Sequence, residues 1–303
     1  MRVVLLTLGG TFPTAVLRRL LAAGAEPAAL FCPTPQAGPR VGSGLSPGQH
    51  TPPVGSARFP LEVAGAPETA FSLARRRGLP VLPWDPRDPL VPLAASAPDL
   101  ILVACFPYRL PPETCRLARV ACLNLHPSLL PRYRGPYPVF WQLRAGERAT
   151  GVTLHHVSER LDAGDVVTRR RVDLPSGASG SEIDAVLGEV AGDLASEAVV
   201  AAVRGESLAR QSQQEAHATR QGTPGPEDFE IPWTWSARRA FDFLRGTADW
   251  GQPYLVRTGE RVWTVRTAIG CQPGATLGCA WQREGSLLRV QFSPGVLEVT
   301  VGP

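Results

Sequence analysis

Short unbroken apolar runs alternate with helical patterns along the first two thirds of the chain. Val3 to Leu8 is the first run and ends at Gly9-Gly10; the helix predicted over Thr14 to Ala23 carries Val16, Leu17, Leu20 and Leu21 at helical spacing. Ala28 to Cys32 predicts a second strand, Ala70 to Arg77 a helix, and Leu79 to Leu82 a short strand. Asp99-Leu-Ile-Leu-Val-Ala-Cys-Phe is apolar after its first residue, as expected of a strand covered on both faces of a parallel sheet. Pro111 to Arg119 reads as a short helix, and Val120 to Leu123 as a strand leading into Asn124-Leu-His126. A helix over Tyr137 to Ala145 and strands over Thr150 to Val157 and Val166 to Val172 follow. Ser179 and Glu182 make a capping box before a long helix whose buried stripe is Ile183, Val186, Leu187, Val190 and Leu194. The alternation predicts a doubly wound, mostly parallel α/β domain of Rossmann-like type over residues 1–204.

The remaining third changes character. Residues 205–226 are polar, Gln-rich and broken by Gly and Pro, and read as a linker. Ser236 caps a helix with Ala237, Phe241 and Leu244 on one face and Gly246 at its end. Short alternating strands then predict a small, OB-like β-barrel within a second domain, 227–303. The Pro/Gly/Ser-rich stretch from Pro33 to Pro67 is either a substrate-covering loop or a mobile one.

A length of 303 residues fits two domains, and 44% hydrophobic with 19% charged residues is an ordinary globular balance. No apolar stretch reaches membrane-spanning length and no signal segment leads the chain, so a cytoplasmic location is expected. The six cysteines form no CxxC pair, which argues against a disulfide framework or a thiolate zinc site, and no metal is expected. All 31 basic side chains are arginine; a net charge of +4 does not by itself point to nucleic acid.

The chemistry centres on Asn124 and His126. They flank Leu125, so an extended strand end projects both to one side, where open α/β sheets place ligands. Asn124 can donate to a developing oxyanion and His126 can donate or move a proton near neutral pH. A carboxylate is needed to orient the imidazole; Asp162 leads, in a Gly-containing turn, and Asp165 competes. Ser128 is outside any G-x-S-x-G elbow, and direct acyl transfer to an amine needs no nucleophilic Ser or Cys. His155-His156 is a poor metal pair, because adjacent strand residues point to opposite faces.

Asn124-Leu-His-Pro-Ser-Leu-Leu-Pro-Arg-Tyr-Arg-Gly135, Gly151-Val-Thr-Leu-His155 and Leu161-Asp-Ala-Gly-Asp165 together resemble the formyltransferase family that uses 10-formyltetrahydrofolate. That family includes enzymes acting on methionyl-tRNA, glycinamide ribonucleotide and amino-sugar nucleotides. The resemblance implies a catalytic trio of Asn124, His126 and Asp162. It implies folate contacts from Ser128, Leu129, Leu130 and Pro131, and a pterin-lining loop with Phe106, Tyr108 and Leu110. The closing third is similar to the carboxyl-terminal domain of the tRNA enzymes, which makes initiator tRNA the implied partner and methionyl-tRNA the implied acceptor. Three departures count against that acceptor: Ile231-Pro-Trp233 for Ile-Asp-Trp, Gly135-Pro-Tyr-Pro for Gly-Ala-Ala-Pro, and no basic cluster in the Pro33–Pro67 loop. The competing readings are an amino-sugar nucleotide or other small amine as acceptor, and a non-catalytic binding protein on the same fold.

Overall fold

The computed structural model describes residues 1–33, 68–259 and 261–301. The Pro/Gly/Ser-rich stretch therefore lies, from residue 34 on, outside the described residues. In chain order the elements are β1 (Val3–Thr7), α1 (Thr11–Ala22), β2 (Ala29–Pro33), α2 (Ala70–Arg76), β3 (Val81–Trp84), α3 (Val91–Ala95), β4 (Leu100–Ala104), α4 (Pro112–Arg116), β5 (Ala121–His126), α5 (Pro138–Ala145), β6 (Ala149–His156), β7 (Val166–Asp173) and α6 (Gly180–Val203). Then come β8 (Glu230–Ile231), α7 (Ala237–Gly246), β9 (Tyr254–Thr258), β10 (Arg261–Gln272), β11 (Trp281–Glu284), β12 (Leu287–Gln291) and β13 (Val296–Val301).

The first seven strands form one sheet in the order β3-β2-β1-β4-β5-β6-β7. Strands β1 to β5 are parallel; β6 is antiparallel to β5, and β7 to β6. All five residues of β1 and all five of β4 are buried, as their apolar runs demand. Alternate residues feed two cores, with Leu5, Leu102, Leu123 and Leu125 facing α1 and α6, and Val4, Ile101, Val103 and Cys122 facing Trp84 and Leu93. Helix α1 begins three residues earlier than its periodicity predicts. Pro13 sits in its first turn, where a missing N–H leaves no intrahelical bond unmade. The capping box of α6 is present: Ser179 Oγ accepts the Glu182 N–H at 3.3 Å, and Glu182 Oε2 accepts the Ser179 N–H at 2.8 Å. Val186, expected in that helix's buried stripe, is 44% exposed instead.

The closing strands make a second, six-stranded sheet in the order β11-β12-β13-β10-β9-β8, antiparallel except for the β8–β9 pair. Two register shifts bend the long β10 against β13. An aromatic cluster joins this part of the chain to the first. Phe140 of α5 meets Phe229, Phe243 and Trp250 at centroid distances of 5.4, 5.3 and 4.9 Å, and Tyr137 meets Trp250 at 5.0 Å. Residues 205–226, polar as they are, are bonded to the first sheet and to α5: Gln211 and Val166 exchange two backbone hydrogen bonds (2.8 and 3.0 Å), and Trp141 Nε1 donates to the Gly222 carbonyl at 2.9 Å.

Phe140 is 2% exposed and packed among the rings of Phe229, Phe243 and Trp250. Phe140→Ala is expected to cost about 3–5 kcal/mol, read as a lowered urea midpoint with an unchanged m-value.

Candidate active site

Strand β5 ends in Asn124, Leu125 and His126. Leu125 packs in the core facing α1 and α6, so its two neighbours turn to the opposite face. Antiparallel β6 then brings His155 directly across from Asn124. Asn124 Nδ2 donates to His155 Nε2 at 3.1 Å, and His155 Nδ1 donates to the His156 carbonyl at 2.9 Å. A ring that accepts on one nitrogen and donates from the other is a neutral imidazole in a single tautomer. Burial is the main reason its pKa falls to about 4, with the neighbouring Asp162 carboxylate pulling the other way.

Asp162 comes from the turn between β6 and β7. Its backbone occupies the left-handed region, at φ 55°. Gly164 lets that turn close onto the end of β6, since a Cβ there would stand 1.8 Å from the His156 carbonyl oxygen. The Asp162 side chain is buried, and its Oδ2 accepts the Gly135 N–H at 2.8 Å. Its Oδ1 stands 3.4 Å from Asn124 Nδ2, 3.6 Å from His126 Nδ1 and 3.7 Å from His155 Nε2. On the far side of its ring, His126 Nε2 donates to the Tyr133 carbonyl at 2.8 Å. Since a carbonyl can only accept, Nε2 carries the proton of neutral His126 and Nδ1 is the nitrogen turned to the carboxylate.

Asn124, His126 and Asp162 are thus brought together. Asp165 is not: it accepts from Ser212 Oγ at 3.3 Å and lies 3.7 Å from Arg210 Nη1. Phe106, Tyr108 and Leu110 follow β4, the neighbour of β5, and pack with Trp84; the Trp84–Phe106 and Trp84–Tyr108 centroid distances are 4.9 and 5.3 Å. In the loop after β5, Leu129 and Pro131 are half-buried, whereas Ser128 and Leu130 are fully buried. Ser128 Oγ donates to the Arg132 carbonyl at 2.8 Å, so this hydroxyl shapes its own loop. Among the described residues, no group of three or more His, Cys, Asp or Glu side chains is arranged to hold a metal ion. Among them, too, no helix is long and apolar enough to cross a membrane.

Residues 87–199 match the sequence model of the family described as formyl transferase. A methionyl-tRNA formyltransferase of Anaeromyxobacter sp. (strain K) is 34% identical over 208 residues, 68% of this chain and 66% of that one. Another, of Desulfotalea psychrophila (strain LSv54 / DSM 12343), is 31% identical over 227 residues, 71% of this chain and 68% of that one. The chain belongs to the formyl transferase family. An N-formyltransferase from Helicobacter canadensis, solved with folinic acid and dTDP-3-aminofucose, shares the fold at a TM-score of 0.65 and 11% identity, over 99% of each chain. This family member spans just under two thirds of the Anaeromyxobacter protein's length.

His155 closes the Gly151–His155 motif but is the member of the cluster to which the sequence assigns no role. The alternation of β6 marks it as facing away from Leu154, but only the pairing with Asn124 gives it a partner.

His155 titrates at about 4 in the folded chain against 6.5 unfolded. Between those values the unfolded state binds the extra proton, so stability is full above pH 6.5 and falls as the pH drops towards 4. The loss attributable to this group is about 3 kcal/mol at most. Urea titrations from pH 7 to pH 4 are expected to show a shallower decline for His155→Gln than for the wild type.

Proposed function

We propose that this protein transfers the formyl group of 10-formyltetrahydrofolate to a primary amine, the amino group of methionyl-tRNA. The observation that carries this reading is the meeting of Asn124, His126 and the buried Asp162 carboxylate at the carboxyl end of β5. The names of the relatives support the acceptor. We also assign residues 1–204 as the catalytic domain, 205–226 as a linker that folds back onto it and 227–303 as a second domain, in a cytoplasmic protein.

In this reading Asn124 turns the Nδ2–H that makes its long 3.4 Å contact with Asp162 to the formyl oxygen as negative charge develops there. His126 takes a proton on Nδ1, and Asp162, 3.6 Å away, steadies the imidazolium. A new C–N bond forms from the amine lone pair as the bond between the formyl carbon and the folate nitrogen breaks. His126 relays the proton lost by the amine to that leaving nitrogen, so the products are tetrahydrofolate and the N-formyl amine. Phe106, Tyr108 and Leu110 supply an apolar wall for the pterin, with Leu129 and Pro131 from the adjacent loop; Ser128 and Leu130 hold that loop's shape from inside.

His126→Ala and Asp162→Asn are each expected to lower kcat by roughly 10²–10⁴-fold with thermal unfolding little changed, followed as consumption of 10-formyltetrahydrofolate. Unchanged turnover in either variant would remove the proposed site. Offered charged initiator tRNA beside a panel of amino-sugar nucleotides, the protein is expected to formylate the tRNA, with a binding constant that falls steeply as salt rises. Formylation confined to the sugar nucleotides would reassign the acceptor and leave the chemistry in place.

A further inference from the structure

After α6 the chain turns back across the site before reaching the second sheet. It is pinned at both ends of this crossing. Gln211 pairs with Val166, while the Arg134 N–H donates to the Thr219 carbonyl and the Gln221 N–H donates to the Arg134 carbonyl, each at 2.9 Å. Gly135 permits the second anchor, because a Cβ there would stand 2.2 Å from the Gln221 carbonyl oxygen.

Between the anchors lies Gln213, with every hydrogen-bonding position of its side-chain amide engaged. Nε2 donates to the carbonyls of Asp162 (2.9 Å) and Gly164 (2.7 Å), so one side chain holds both sides of the left-handed turn. Oε1 accepts from Nε and Nη2 of the buried Arg134, at 3.1 and 2.9 Å. Arg134 precedes Gly135, whose N–H is bonded to the Asp162 carboxylate. The contacts close a ring from the Asp162 carbonyl through Gln213, Arg134 and Gly135 back to Asp162 Oδ2. Glu215, two residues further on, offsets the buried guanidinium at 2.7 and 3.2 Å and also binds Arg160.

A non-glycine residue in the left-handed region costs energy and persists only where its surroundings over-determine it. Here the surroundings include the Gln213 amide and the Gly135 N–H, beside Arg220 Nη2, which donates to the Leu161 carbonyl at 3.0 Å. We propose that Gln213 is a positioning residue for formyl transfer, setting the direction of the Asp162 carboxylate through the main chain that carries it. The inference rests on the reading that Asp162 serves the reaction.

The test uses the full chain, with Gln213→Leu, Gln213→Glu, Asp162→Asn and the double variant Gln213→Leu/Asp162→Asn. Gln213→Glu keeps an oxygen for Arg134 and has no N–H for the two carbonyls. Both Gln213 variants are expected to lower kcat by about 10- to 100-fold, the range that follows from misaligning a reacting group by about an ångström. KM for 10-formyltetrahydrofolate is expected to stay within about twofold, since no donor to that substrate is removed. In single-turnover experiments with excess enzyme, adding Gln213→Leu to Asp162→Asn is expected to give no further loss. Wild-type kcat in Gln213→Glu, equal losses from Gln213→Leu in both backgrounds, or a loss in KM alone would overturn the proposal while Asp162→Asn stayed impaired. Full activity in Asp162→Asn would overturn it together with the reading beneath it.

Discussion

The candidate site is organised around a buried carboxylate that, among the described residues, pairs with histidines and with no arginine. Asp162 has a peptide N–H on one oxygen and, around the other, an amide and two imidazoles at 3.4 to 3.7 Å. Burying a charge is expensive unless hydrogen bonds replace the water it loses. One of those imidazoles, His155, is locked neutral by its own two bonds. That leaves His126, whose Nδ1 faces the carboxylate at 3.6 Å while its Nε2 is bonded to the Tyr133 carbonyl. In the proposed reaction, where a neutral amine becomes cationic on attack, an anion in place before any substrate arrives is what the site needs.

Everything around that carboxylate is a device for bringing distant segments to one point. β5 supplies Asn124 and His126 from adjacent outward positions. Reversing β6 sets His155 opposite Asn124 and lets the following turn come back over the strand end. Sequence departures in the segment after Gly135 also find a physical role. Tyr137 and Phe140 enter the aromatic cluster with Phe229, Phe243 and Trp250, and Trp141 holds Gly222. Aromatic pairs of this kind contribute about 0.5–1.5 kcal/mol each beyond the area they bury. The altered motif therefore ties the first part of the chain to its closing third.

Much of this was legible in the residues. Continuous apolar runs marked the buried strands, the alternation about Leu125 placed Asn124 and His126 on one side, and the Ser179–Glu182 pair marked the start of α6. The choice between Asp162 and Asp165 was not legible without the family resemblance, because it depends on a left-handed backbone at one of them and on how tightly Gly164 lies against His156. His155 was hidden because composition does not state strand register. Residues 205–226 looked like a linker for a related reason: glutamines that bind main-chain carbonyls have the same composition as glutamines in water. The start of α1 was not legible from periodicity, because its first turn, with Pro13 tolerated in it, precedes the first periodic residue.

The crossing segment also decides where this chain can be cut and rejoined. A chimera that swapped the closing sheet for another at the end of α6 would carry Asn124, His126 and Asp162 and none of the bonds that Gln211, Gln213, Thr219 and Gln221 make around them. The seam that respects the architecture falls after Gly222, well beyond the apparent domain edge at residue 204. By covalent order the segment lies between two modules; by its contacts it is a part of the first.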